Sequence, residues 1–173
     1  VVDYGHGLLT NKIIRLLQNK SKYLAVNAQL NALNSSFHSI FKYQKVNYLC
    51  IHEGELRHGF RNNVENIDKL INKLRLKINC DKITITKGGN GSETYSEKTK
   101  TQCPAFATKV IDKVGSGDSF MAIFSIMNLV FPKDAKISLF LSSLATTQVL
   151  EGFGNEKSIK LVNLLKSLKY ILK

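Results

Sequence analysis

Two kinds of apolar pattern alternate along the chain. Short apolar runs bounded by polar residues occur at "YLAVN" (23–27) and "VNYLCI" (46–51). Runs of this length, rich in β-branched and aromatic residues, predict strands buried on both faces of a parallel sheet. "KITIT" (82–86) is a further strand, broken off by the turn "KGGNGS". The opening "VVDYGHGLLT" reads as the end of a strand passing into a loop. Between these runs the period lengthens. Thr10 is placed to cap a short helix carrying Ile13, Ile14, Leu16 and Leu17. The segment from Asn63 to Ile78 puts Ile67, Ile71, Leu74 and Ile78 on one helical face.

After the turn, "ETYS" and "KTQCPAF" predict a hairpin-like pair. From Gly115 onward three helices are expected. The first runs to about Val130 and stops before Pro132; the second covers roughly Asp134 to Leu150, closed by "EGFG". The last is expected from about Glu156 to the end, with Ile159, Val162, Leu165 and Leu168 inward and Lys160, Lys166 and Lys169 outward. Alternating strands and helices predict an α/β fold with a mainly parallel sheet. Ligands of such sheets gather at the carboxyl ends of the strands, where the glycine-rich turns of this chain fall.

Composition narrows the picture only a little. At 173 residues, 43% hydrophobic and 22% charged, the chain can form one domain with a sizeable core. Its formal charge of +12 favours anionic partners such as nucleotides, sugar phosphates or nucleic acid. The lysines are scattered among acids and asparagines, as in "NVENIDKLINKLRLKIN", so a solvated basic surface is favoured over a nucleic-acid footprint. Cys50, Cys80 and Cys103 lie far apart, which offers neither a disulfide framework nor a Cys-x-x-Cys pair and suits a reducing cytoplasm. No apolar run reaches the ~20 residues of a membrane helix. The start at "VVDYGHG" looks like a point halfway through a fold, so a fragment is expected.

Chemistry concentrates at "GSGDSF". If a helix starts near Gly115, the amides of Gly115, Ser116 and Gly117 lack helical partners and carry the positive end of the helix dipole. Small side chains let a phosphate approach them, which would make an anion hole, with Asp118 in the first turn beside it. Equally, Asp118 could do no more than complement the dipole. From this motif alone the two readings stand level.

The surrounding motifs add to it. "DKVGSGDSF" resembles the Asp-Thr-x-Gly-Ala-Gly-Asp-x-Phe signature of the ribokinase-like, or PfkB, carbohydrate kinases: Asp112, Gly115, Gly117, Asp118 and Phe120 match, Ser116 replaces Ala and Lys113 replaces Thr. "HEGE" resembles the family's Asn-Glu-x-Glu, with Glu53 and Glu55 kept and His52 in place of Asn. "TKGGNG" resembles its nucleotide loop at Thr86, Gly88 and Gly91. "DYGHG" and "NAQLNALN" further resemble the branch that phosphorylates heptose 7-phosphate, where the first motif carries Lys at the position of His6. The resemblance covers nearly the whole chain (1–173, expected as one domain) but only the second, nucleotide-binding half of a ribokinase-like three-layer αβα fold. The first half, with most of the sugar pocket and the lid sheet, is not represented.

That resemblance implies an ATP-dependent sugar kinase. Asp118 would be the base that takes the proton of the attacking hydroxyl, and the Gly115-Ser116-Gly117 amides would hold the charge on the transferring phosphoryl group. Thr86, Gly88 and Gly91 would line the nucleotide site, although a plain hairpin turn explains them as well. Mg²⁺ would be held largely through waters oriented by Glu55, with His52 nearby; a solvated helix start is the other reading of these residues. Asp112 would serve an activating monovalent cation, with the Lys113 ammonium beside it. The implied partners are ATP and a small sugar or sugar phosphate, with no nucleic acid and no membrane, and the complete protein is a candidate homodimer. Asp3 and His6 read as a surface loop, His38 and His58 as structural or exposed, and Met121 and Met127 as core. The competing function is a degenerate, non-catalytic domain that binds nucleotide or a protein partner.

Overall fold

Parallel pairing begins with the first residues of the computed structural model, which describes residues 1–31, 34, 38–154, 156 and 158–173. β1 (Val2–Asp3) pairs parallel with β2 (Ala25–Ala28), placing Val2 opposite Asn27 and Asp3 opposite Ala28. β2 pairs parallel with β3 (Lys45–His52), placing Ala25 opposite Tyr48 and Val26 opposite Leu49. β4 (Asn79–Thr86) follows next in sheet order. The chain is thus the α/β fold its periodicity predicts. It forms two compact units, one of Val1–Ile85 with Tyr95–Thr99, the other of Thr86–Thr94 with Lys100–Lys173.

In the first unit, helices α1 (Asn11–Lys20), α2 (Glu53–Phe60) and α3 (Ile67–Lys77) alternate with the strands. Tyr48, Leu49, Cys50 and Ile51 are all buried, as expected for a strand covered on both faces. Ile14, Leu56, Leu70, Ile71 and Leu74 bring the helices onto Val26, Leu49, Ile83 and Ile85. Thr10 caps α1 by accepting from the Ile13 amide. α3 starts at Ile67 and not at Asn63. The Asn62 side chain takes the amides of Val64 and Glu65, and Asn66 takes that of Asp68. These asparagines make a turn and a cap in place of a first helical turn.

The loop reading of Asp3 requires correction: Asp3 is buried. Its Oδ2 accepts from the Tyr43 hydroxyl at 2.6 Å and pairs with Lys42 Nζ at 2.6 Å, and its Oδ1 accepts from the Gly5 amide. His38 completes the network. Its Nε2 stands 3.0 Å from the Asp3 carbonyl oxygen, which can only accept, so Nε2 carries the proton. Nδ1 then accepts from Lys42 Nζ at 3.3 Å. Burial and the Lys42 charge hold the His38 imidazole below its ordinary pKa. The unfolded chain binds a proton there near pH 6.5 while the folded one does not, so acidification below that value removes stability. The melting temperature is expected to fall between pH 7 and pH 5, and less so in His38→Gln. Equal pH dependence in the two proteins would show that another group drives it.

In the second unit, helices α4 (Ser116–Val130), α5 (Ala135–Leu150) and α6 (Leu161–Ile171) follow strand β5 (Ser92–Tyr95), of which Ser92–Thr94 belong to this unit, and strand β6 (Lys100–Cys103). Phe120, Met121 and Phe124 of α4 are buried, as are Leu139, Leu144, Ala145 and Val149 of α5. Ser138, Ser142 and Thr146 sit buried on α5 because each hydroxyl donates to the carbonyl four residues back.

The last helix departs from expectation. Glu156 and Ser158 to Lys160 carry no helix, and Lys160 is held instead by Gln148, whose Oε1 accepts its amide at 3.0 Å. Val162 is 63% and Leu165 47% exposed, whereas Ile159 and Leu168 are half-buried, so the apolar stripe is only partly covered. Among the described residues, no helix is long and apolar enough to cross a membrane.

Candidate active site

The stretch "DKVGSGD" folds into a helix mouth made of backbone. Gly115 is the cap residue of α4 and adopts φ +74°, a left-handed conformation that favours glycine, and no side chain caps the helix from it. The Ser116 hydroxyl donates to the Lys113 carbonyl at 2.7 Å, which turns it back onto the loop. A Cβ on Gly117 would meet nothing within 4 Å. Asp118 is the third residue of the helix and is half-buried. Gly115 offers α4 no side-chain cap, and the Ser116 amide donates to the Lys113 carbonyl at 3.2 Å, so the 15-residue helix opens on a glycine mouth of the kind that takes anions.

Asp112 braces this mouth from outside. Its Oδ1 accepts from the Val114 amide at 3.1 Å and its Oδ2 from the Gly154 amide at 2.9 Å. These backbone donors hold the exposed carboxyl below its ordinary pKa. The Ile111 and Asp112 amides donate to the Leu150 carbonyl at 2.8 and 3.4 Å, so three hydrogen bonds join the loop before α4 to the end of α5 and the turn after it. The sequence marks Leu150 and "EGFG" only as the end of a helix and gives no sign of their bonds to the loop before α4.

In the same unit, Thr86 ends β4 and Gly88–Asn90 form a 3₁₀ turn. Lys87 donates its amide to the Gly91 carbonyl, and Gly91 donates to Gly88. Gly91, at φ +81°, backs onto the Cys103 carbonyl and Pro104. A Cβ on Gly88 or Gly89 would meet nothing within 4 Å. The segment is a tight hairpin turn, and its two leading glycines face open space.

His52, Glu53 and Glu55 lie in the first unit, at the carboxyl end of β3. His52 caps α2, its Nδ1 accepting the Gly54 amide at 3.1 Å, while Glu55 Oε2 accepts the His52 amide at 2.7 Å. This is a capping box with an imidazole in the role usually taken by a hydroxyl. Glu55 Oε1 accepts the Leu30 amide at 3.1 Å, and Glu53 pairs with Arg57 at 2.8 Å. Nearby, His6 is exposed, its Nε2 3.5 Å from Asn31 Nδ2. Asn31 and Asn34 of "NAQLNALN" exchange side-chain bonds with each other's amides; Ala32 and Leu33 between them lie outside the described residues. Among the described residues, no three His, Cys, Asp or Glu side chains gather as a metal site.

A family model described as pfkB family carbohydrate kinase matches residues 7–159. The bifunctional protein HldE of Campylobacter jejuni is 28% identical over 181 aligned positions, covering 96% of this chain and 37% of that protein. The chain therefore spans well under half the length of this curated relative. Phosphofructokinase-2 from Escherichia coli, solved in complex with potassium, matches with a TM-score of 0.74 at 14% identity, over 94% of this chain and 52% of that one. An Escherichia coli chain described as a ribokinase II, solved with ATP and Mg²⁺, matches with a TM-score of 0.61 at 15% identity, over 72% and 40%. At such identities the structures show a shared fold, which is ribokinase-like.

Proposed function

The chain belongs to the pfkB family of carbohydrate kinases, and from that premise we propose that it supplies the ATP site, anion hole and base of a sugar kinase. The observation that carries this reading is the start of α4, where a left-handed glycine holds the cap position and Asp118 stands in the first turn. In phosphoryl transfer, positioning and charge neutralisation supply most of the catalysis. Asp118 takes the proton of the attacking sugar hydroxyl as its oxygen bonds to the γ-phosphorus and the bond to the ADP oxygen breaks. The Gly115, Ser116 and Gly117 amides bear the negative charge on the phosphoryl oxygens. Thr86, Gly88 and Gly91 shape the nucleotide site, and Asp112 holds the mouth in place and serves a monovalent cation.

Mg²⁺ supplies charge neutralisation on the ATP phosphates. It keeps several waters when bound, and Glu55, at the carboxyl end of β3, is the residue that would orient them. His52, with Nδ1 committed to the cap, positions Glu55 and not the ion. ATP, Mg²⁺ and potassium are bound by similar proteins, which supports the same cofactors here. Likeness to HldE and the "DYGHG" motif favour a heptose phosphate or related sugar phosphate as acceptor.

The test has two parts: calorimetry of this chain with Mg-ATP, and turnover of the full-length protein with ATP and a panel of sugars and sugar phosphates. Phosphorylation of a sugar phosphate is expected. ATP binding with no turnover on any acceptor would instead favour a non-catalytic nucleotide-binding domain, a reading supported by the commitment of His52 and Glu55 to capping.

A further inference from the structure

Glu93 is an acid in the interior of the second unit, on β5, and its side chain is only 12% exposed. Four groups meet there. Lys87 Nζ lies 2.8 Å from Oε1, Lys100 Nζ 3.5 Å from Oε2, and Gln102 Nε2 donates to Oε1 at 2.8 Å. A buried carboxylate needs such partners. What is unusual is which lysine it holds. Lys87 is the first residue of the turn that carries Gly88 and Gly89, and its own side chain is 19% exposed, folded back onto β5. The turn is therefore pinned twice: by its backbone bonds to Gly91, and by the side chain of its leading residue.

We propose that Glu93 is a positioning residue for the nucleotide loop: by holding Lys87 down, it sets the Gly88–Gly89 backbone at the height ATP requires. The inference rests on the reading of that loop as part of the ATP site. Without the carboxylate, two lysines and an amide are left facing one another, and the turn is released on one side. A group held by packing and ion pairs behind a site presents it with less reorganisation on binding.

Calorimetric titration with Mg-ATP is performed on this chain, with Glu93→Gln, Lys87→Met and the double variant, well below each melting temperature. Each single variant is expected to weaken ATP by roughly tenfold, the scale at which supporting partners act on a bound group. The double variant should be no weaker than the worse single one, because both remove the same pin. Wild-type affinity in Glu93→Gln, with only a lower melting temperature, would reduce Glu93 to a stability role and overturn the proposal. Tighter binding in Glu93→Gln with weaker binding in Lys87→Met would also overturn it, by showing that a freed Lys87 contacts the phosphates. Gly89→Val tests the underlying reading separately, since that position has room for a side chain. Unchanged ATP affinity in Gly89→Val would remove the loop from the ATP site, whatever Glu93 does.

Discussion

Asp118→Ala in the full-length protein is expected to lower kcat roughly a thousandfold, within the range lost when a positioned base is removed, while Mg-ATP still binds. The two halves of this result have separate causes. Asp118 stands in the first turn of α4, where a carboxylate contributes about 0.3–1 kcal/mol against the helix dipole. Losing that much leaves the fold in place, with a melting temperature a few degrees lower. The amides of Ser116 and Gly117 belong to the backbone and survive the substitution, so the anion hole stays. What disappears is the acceptor for the hydroxyl proton. Steady-state kinetics beside calorimetry separates these contributions, and near-normal turnover would strip Asp118 of the catalytic role. Asp118→Asn should behave alike, since its amide keeps the shape without the basicity.

Gly91→Ala should produce the largest loss of stability, about 3 kcal/mol or more from backbone strain and overlap combined. Gly91 has φ +81° and ψ −142°, a region occupied almost entirely by glycine. A methyl group there would run into the Cys103 carbonyl oxygen and come within 2.9 Å of Pro104 Cα. Both obstacles are backbone, which cannot swing aside as a flexible side chain would. Chemical denaturation of the variant measures the loss, and Gly89→Ala is its control, with no left-handed φ and no neighbour within 4 Å. Equal stability of the two variants would show that the turn has another conformation open to it.

Much of the fold could be read from the chain because its signals are local. Tyr48–Ile51 is a continuous apolar run, and such a run between polar residues favours a buried strand. Thr10, Asp134 and the "EGFG" turn mark helix ends by chemistry that acts within a few residues. The stripe of α6 was equally legible, but periodicity shows which face is apolar and not whether anything covers it; Val162 and Leu165 remain exposed. The Asp3, His38, Lys42 and Tyr43 network was not legible at all, since its members are brought together only by folding. Nothing in "DYGHG" distinguishes a buried aspartate from one in a loop.

The candidate site divides along the same line. "GSGDSF" announces a helix mouth because glycines, a small polar residue and an acid before an apolar run have a local meaning. "HEGE" carried a local meaning too. Glutamate three residues after a capping residue is the capping-box spacing, and the imidazole nitrogen in the cap conceals it. The joining of Asp112 to Gly154 depends on the packing of α4 against α5, which no spacing in the sequence reveals.

That join also makes one mechanical part of two segments 42 positions apart in the chain. Because one carboxylate grips the amides of both Val114 and Gly154, a displacement of the turn after α5 is passed to the loop before α4. Sequence changes around Gly154 can thus shift the start of α4 from 42 positions away, which offers selection a remote adjustment screw for that helix mouth.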